Sequence, residues 1–558
     1  MRIVPTLLFL LFAVTIASAS VFAQGETTEE RPGGDETRAG DDATEGDSAA
    51  AAEVGAAEIA QLIEQLGDER YAVREYAQTR LMEIGAASFE ALSDALEHDD
   101  LEVANRARYL LGTIEFNWTS DEDPKEIRQM LENFADTGEA QRLQIVDDGL
   151  AGQGRDAELR ALCRIVRYDR SSRVSKRAAL ALILQLYPSE TIARQRRDFV
   201  LKQLGPTRRN AAQWCRAFFA SEATKERMAS SLQALAQAEQ DLLSGDPEQT
   251  SAEIAARLCY VVADQLARWE ETEAAEALAQ RAFDLELTGF EIDRLSFLAS
   301  LQERGRFEWA EREFRRLATQ RTGSEMVDLR ALELLANMLH DQRRLDEAVE
   351  TVRLLIERIR KQGSGPQERA LELLRRRMSG QLHYFMALQA AQAGDVEKEA
   401  DELRIAGRAA GRMTGNPDIL IAQYRLPERI ATQKRQVENQ VRNRIVLYRN
   451  QIGQAEENTR IAAFACNQFA WLVGNTLGEV DVQLADEAIE ASLKSLEYSP
   501  YSYAYTDTLA RCYYARGDLE NAIKFQNQAL ALNPYSGLLQ DQLKFFESKL
   551  AERQSGDE

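Results

Sequence analysis

The sequence predicts an all-α protein built as a stack of helix pairs, an α-solenoid. Three observations lead there. Alanine, leucine, glutamate and arginine dominate a chain of 558 residues that holds only 11 prolines and 31 glycines, a mix that favours helix. From Ile59 onward apolar residues recur at helical spacing, and no run alternates long enough to make a strand. The helices are short, are punctuated by Gly, Asp or Asn, and come in similar copies, which marks a repeat array. The length also exceeds what one core organises.

Residues 1–23 read as a signal peptide. Met1-Arg2 gives a positive start, Ile3 to Val14 is mostly apolar, and Val21-Phe22-Ala23 is a cleavage context. Cleavage after Ala23 is expected. The alternative is an uncleaved anchor, since the apolar stretch is nearly long enough to span a bilayer. Export to the periplasm or outside the cell follows from either. Residues 24–56 then read as a disordered acidic linker. Between Gln24 and Glu58 eleven acidic residues face two basic ones, and Val54 is the only large aliphatic. Such a stretch buries too little apolar surface to offset chain entropy.

Residues 57–200 repeat with a period near 30. Val73 and Ala77 follow Asp68, Val103 and Ala107 follow Asp99, and Val174 and Ala178 follow Asp169. In each copy an acidic residue is placed to cap a helix, and Ala allows close approach of the neighbouring helix. This pattern resembles the HEAT family of paired-helix repeats. Residues 201–250 form a helical connector, with Trp214, Phe218 and Phe219 packing between two arrays.

The second array is clearer. Tyr503 to Pro534 reads YAYTDTLARCYYARGDLENAIKFQNQALALNP. Small Ala510, Ala522 and Ala529 stand where two helices cross, with Leu509 and Tyr513 filling the space beside them. Gly517 takes the helix-end conformation, and Pro534 stops the second helix. The segment resembles the tetratricopeptide repeat. It departs at Gln526, where a large residue is usual, and the preceding Phe525 predicts a slight rotation of the helix to bury that ring. Weaker copies surround Ala263, Phe297-Leu298, Leu335-Ala336 and Met386-Ala387. Another, around Asn467 and Ala470, has about six extra residues in its turn. The resemblance covers 251–415 and a C-terminal pair at 461–552. Residues 416–460 between them read as a long polar helix or connector.

Chemistry is sparse. The three histidines, His98, His340 and His383, are far apart and show no paired-ligand spacing. Five scattered cysteines form no disulfide framework and read as small core residues. Gly149-Leu-Ala-Gly152-Gln-Gly154 lacks the features of a phosphate loop and reads as a turn between helices. Asp121-Glu-Asp123 lacks the spacing of a calcium loop. There a helix capped by Thr119 or Ser120, with Pro124 in its first turn, is expected. Basic runs such as Arg208-Arg209 and Arg375 to Arg377 are expected to pair with glutamates. A net charge of -23 disfavours nucleic acid and anionic membrane surfaces. No catalytic residue, cofactor or metal is assigned.

What remains is recognition of other proteins or peptides. In the tetratricopeptide family, first-helix residues not used in packing line the concave side. By that resemblance the candidates are Asp507, Arg511 and Tyr514 in the final unit, Asn467 and Trp471 before it, and Glu333, Asn337 and His340 further upstream. Such a mix can grip an extended peptide or a helix, although Trp471 and Tyr514 would equally serve as packing residues. The expected role is a non-enzymatic scaffold or adaptor. The rivals are an assembly factor for exported proteins and an enzyme hidden in the array. The oligomeric state is not encoded in any visible way.

Overall fold

In a computed structural model of the chain, residues 48–556 are described, apart from 115, 152–153, 220–224, 286–290, 320–324, 362–367, 415, 427–433 and 456–458. The expected signal peptide and the first part of the linker lie outside these residues. The end of the linker does not stay extended. A helix, Ser48–Gln65, runs through it, because the Ala-rich stretch from Ser48 has the strongest helix propensity of the segment. No strand occurs among the described residues.

Helices follow one another in pairs. In the middle of the chain these are Ala252–Arg268 with Thr272–Asp284, Glu291–Glu303 with Phe307–Thr319, Glu325–Asp341 with Leu345–Lys361, and Glu368–Gln392 with Val396–Thr414. A short helix, Pro417–Tyr424, and a longer one, Lys434–Gln454, lead to the C-terminal pairs. Those are Arg460–Gly474 with Val482–Tyr498 and Tyr503–Arg516 with Leu519–Leu532, closed by Gly537–Gly556. The polar Lys434–Gln454 helix is not free-standing, because Val441, Ile445 and Tyr448 bury one of its faces.

The turn chemistry explains the pairing. Gly305, Gly394 and Gly517 all have positive φ at the turn within a pair. The same backbone is forced on Glu270 (φ 70°) and Arg343 (φ 63°). The alanines expected at helix crossings, Ala263, Ala336, Ala510, Ala522 and Ala529, are fully buried, and so are Ala310 and Ala348.

In the first array Ala77, Val103, Ala107, Val174 and Ala178 are buried, while Val73 is half-buried. The caps differ from expectation. Asp100, not Asp99, caps the Leu101–Thr113 helix. Ser171 caps Ser172–Leu184, and Asp169 accepts from the Ser171 backbone N–H at 2.7 Å. Asp68 likewise accepts from the backbone N–H of Arg70 at 2.8 Å. The acidic residues therefore bend the chain just ahead of two of the helices instead of capping them.

Two further expectations are corrected. Thr119 and Ser120 cap no helix; Ser120 Oγ accepts from the Glu122 backbone N–H at 3.3 Å within a turn. Pro124 precedes the Lys125–Leu131 helix, and buried Asp123 accepts from the Ser120 backbone N–H while pairing with Arg164 at 2.5 Å. Gly149 is not in an open turn but within a π-helical turn, Ile145–Leu150. Gly154 (φ 65°) has the turn conformation, and Gly152 lies outside the described residues.

One apolar core runs from Trp118 to Ile419 and includes Trp214, with Phe218 and Phe219 packed against it. A second spans Ile421 to Cys512, and a third holds Ile59 to Leu110. All five cysteines are free and buried. Acids buried between repeats are held by arginines from neighbouring elements. Asp264 takes Arg304 and Arg306, each at 2.9 Å. Glu313 takes Arg294 at 2.5 Å and the Tyr260 hydroxyl at 2.7 Å.

The chain also folds back on itself. Tyr501 meets the Tyr187 ring edge-on at 5.2 Å, and Arg196 donates to its hydroxyl at 3.2 Å. Arg155 lies 4.3 Å from the centre of the Tyr498 ring. Further on, Ser536 Oγ donates to Asp341 Oδ1 at 2.7 Å, and Arg343 pairs with Asp541 at 2.6 Å. The last pairs thus touch both the first array and the turns of the middle one.

Candidate functional site

The candidate residues are held by helices with clear ends. Ser502 caps the Tyr503–Arg516 helix by accepting from the Tyr505 backbone N–H, and left-handed Gly517 closes it. Asp507 lies inside. Its Oδ1 accepts from Nε2 of Gln526 at 2.8 Å and of Gln542 at 2.7 Å, so one carboxylate ties three helices together. Burial pushes its carboxyl up to about 7. This also explains the departure at Gln526. The helix does not rotate. Gln526 stays fully buried because Asp507 satisfies it, and Phe525 stacks on Tyr513 at 5.2 Å instead.

One turn further, Arg511 is bonded to Glu479, and its guanidinium lies 4.3 Å from the Tyr514 ring centre. Tyr514 is half-buried and stacks on Phe546 at 5.2 Å. In the preceding unit, Trp471 Nε1 donates to Asp418 Oδ1 at 2.8 Å, and burial pushes the Asp418 carboxyl up to about 7. Asn467 is buried, with neither amide atom bonded among the described residues.

Upstream, Glu333 accepts from Arg377 at 2.8 and 2.9 Å and pairs with Arg330 at 2.6 Å. Asn337 donates to the Glu333 carbonyl at 2.8 Å and accepts from Gln381. His340 stacks on Phe385 at 4.8 Å. Burial lowers its pKa to about 4, so the ring is neutral near pH 7.

Seven of the eight candidates are therefore buried, and only Tyr514 is partly open. Neighbouring helices engage each set: Glu368–Gln392 bonds Glu333 and Asn337, Pro417–Tyr424 bonds Trp471, and the closing Gly537–Gly556 helix bonds Asp507, so these side chains join successive elements. The structure brings Asp507, Arg511 and Tyr514 onto one helix and Glu333 and Asn337 into one bonded group, while the three sets stay in separate repeats. Of the basic runs, Arg375 and Arg376 pair with Glu372 and Arg377 with Glu333. Arg209 instead donates to the Arg167 carbonyl at 2.9 Å.

The extra residues in the turn after Trp471 supply what the sequence reading missed. Leu477–Glu479 forms a single 3-10 turn. It is packed so closely that a Cβ on Gly478 would lie 2.8 Å from the Val473 carbonyl. Glu479 meets Arg511 from one side and Arg425 Nη2 at 3.5 Å from the other. Arg425 also donates to the Asn475 backbone O at 3.1 Å and to Asn475 Oδ1 at 2.9 Å. Two guanidiniums thus share one carboxylate. Burial, and then the charge of Arg511, pushes Arg425 down to about 9. The long turn was visible in the sequence. Its partners were not, because Arg425 stands outside every repeat.

Elsewhere, a cleft of about 500 Å³ lies among Arg315, Glu347, Glu350, Arg353 and Leu354. Its acids are engaged by arginines, as in Arg353–Glu350 at 2.6 Å. Among the described residues no group of His, Cys, Asp or Glu is arranged to hold a metal ion, and no helix is long and apolar enough to cross a membrane.

No protein-family pattern matches the chain, and no curated protein matches it. Among solved structures it is similar to a chain of the APC/C hetero-tetramer Cut9–Hcn1, with 14% identity over 89% of this chain and 88% of that one and a TM-score of 0.26. It is similar to a chain of Naa15/Naa10 bound to HypK-THB, with 13% identity, 86% and 67% coverage and a TM-score of 0.20. A circular tandem repeat protein matches at 15% identity, 86% and 98% coverage and a TM-score of 0.13. Likeness at this level carries no argument for function or for the order of repeats.

Proposed function

We propose that this chain is a non-catalytic scaffold that holds other proteins in the cell envelope or outside the cell. In this reading HEAT-like repeats over 57–200 precede tetratricopeptide-like repeats over 251–415 and 461–552. Its export rests on the leader-like residues 1–23. The carrying observation is the set of arginine–carboxylate contacts between repeats, such as Asp264 with Arg304 and Arg306. They fix the register of neighbouring pairs, so the outer surface is pre-ordered and a partner loses little ordering entropy on docking.

One observation favours the assembly-factor reading. Tyr71, Tyr76, Leu101 and Tyr109 are large apolar residues more than half exposed on two helices of the first array, a surface suited to unfolded clients. Affinity capture of the full chain from an envelope fraction separates the two. A scaffold retains one or two partners in whole-number ratio. Many partners in small, variable amounts would replace the scaffold with the assembly factor, and no retained protein would contradict both.

A further inference from the structure

The Arg425–Glu479–Arg511 cluster is unbalanced. Two cations face one anion in a largely buried setting, where unmatched charge is costly. The arginine side chains are 22% and 2% exposed, whereas that of Glu479 is 42% exposed. The anion is thus the partner that reaches water, and it sits on a one-turn insert.

Donor capacity is left over. Arg511 Nε is buried and has no hydrogen-bond partner among the described residues. Arg425 spends Nε and Nη2 on Asn475 and Glu479. Val480 and Val482, which follow Glu479 in sequence, are 77% and 54% exposed.

We propose that this cluster is the contact point for a protein partner, taking the carboxylate of an acidic peptide segment beside or in place of Glu479, with an aliphatic neighbour on Val480 and Val482. The inference rests on the scaffold reading and names the chemistry of one partner. A second carboxylate would balance the arginine pair and could make a charge-assisted bond at the part-exposed Arg425. The chain's overall negative charge does not forbid this, because charges more than about 8 Å away are largely screened at physiological salt, whereas direct contact acts at shorter range.

The test is fluorescence anisotropy with the full chain and a labelled peptide carrying Asp, Glu and Leu. An amide control replaces its acids with Asn and Gln, and inorganic phosphate serves as competitor. The acidic peptide should bind and the amide control should not. Glu479→Gln, at a half-exposed side chain, should tighten binding about tenfold by removing the internal competitor. Arg425→Gln, with folding checked by circular dichroism, should weaken it at least tenfold. Equal binding of both peptides, or no change in either variant, overturns the site. Full displacement by millimolar phosphate overturns the peptide assignment in favour of a small anion. If the peptide fails while affinity capture still retains stoichiometric partners, this site is wrong and the scaffold reading stands.

Discussion

Asp507 shows how a single side chain sets conditions for the whole C-terminal end. Its carboxyl is raised from 3.8 to about 7 by burial. A group whose folded pKa lies above its unfolded value gives stability that is complete below the unfolded pKa and is lost as pH rises through the folded one. The window here runs from about 4 to about 7, and the loss is on the order of 2–4 kcal/mol. Asp507→Asn keeps an oxygen for Gln526 and Gln542 and cannot ionise. Melting curves at pH 5 and pH 8 should show a smaller fall in Tm for the variant than for the native chain. Some fall remains, because Asp418 titrates in the same range. Parallel falls would contradict the assignment. Glu270 gives a second test. It is exposed and held at φ 70°, a backbone that costs a non-glycine residue roughly 1 kcal/mol. Glu270→Gly should raise stability by about 0.5–1 kcal/mol in urea titration. The repeat pattern gives the residue types on each first helix, and the structure buries seven of the eight candidates. The first-helix positions of Asp507, Arg511 and Trp471 were legible from the repeat pattern. Whether they meet solvent depends on neighbouring helices such as Pro417–Tyr424 and Gly537–Gly556, and no local pattern encodes that.

The helix pairs themselves were legible because their signals are local. Helical apolar spacing, small residues at crossings and glycine at the turn all lie within one unit, and Gly305, Gly394 and Gly517 adopt the conformation the pattern requires. The caps were misplaced by one or two residues, since Asp, Ser and Asn compete for the same backbone N–H groups. What one unit could not reveal is the contact between sequence-distant elements. At Gly537 a Cβ would collide with the Asp341 carbonyl, where the last helix meets a turn of the middle array. Gly537→Ala should therefore cost about 1–3 kcal/mol. Gly453→Ala, in a helix where a Cβ meets nothing within 4 Å, should gain up to about 1 kcal/mol. Urea midpoints of the two variants should move in opposite directions, and a shared direction would show that the fold-back contact is not formed.

For the whole molecule, the account is a series of helix pairs coupled to their neighbours through buried acids and arginines. Burial alone would raise the Asp264 carboxyl, but Arg304, Arg268 and Arg306 outweigh it and hold it below the ordinary range. Removing that carboxylate leaves buried arginines facing each other, at a cost of about 3–5 kcal/mol. In a serial array such a loss spreads to adjacent pairs and fades with distance. Hydrogen exchange on the full chain carrying Asp264→Asn measures this directly. Exchange should be faster in Ala252–Arg268, Glu291–Glu303 and Phe307–Thr319, with Arg460–Gly474 and Tyr503–Arg516 keeping their native protection. A uniform loss across all helices, or none in the three neighbours, would contradict it.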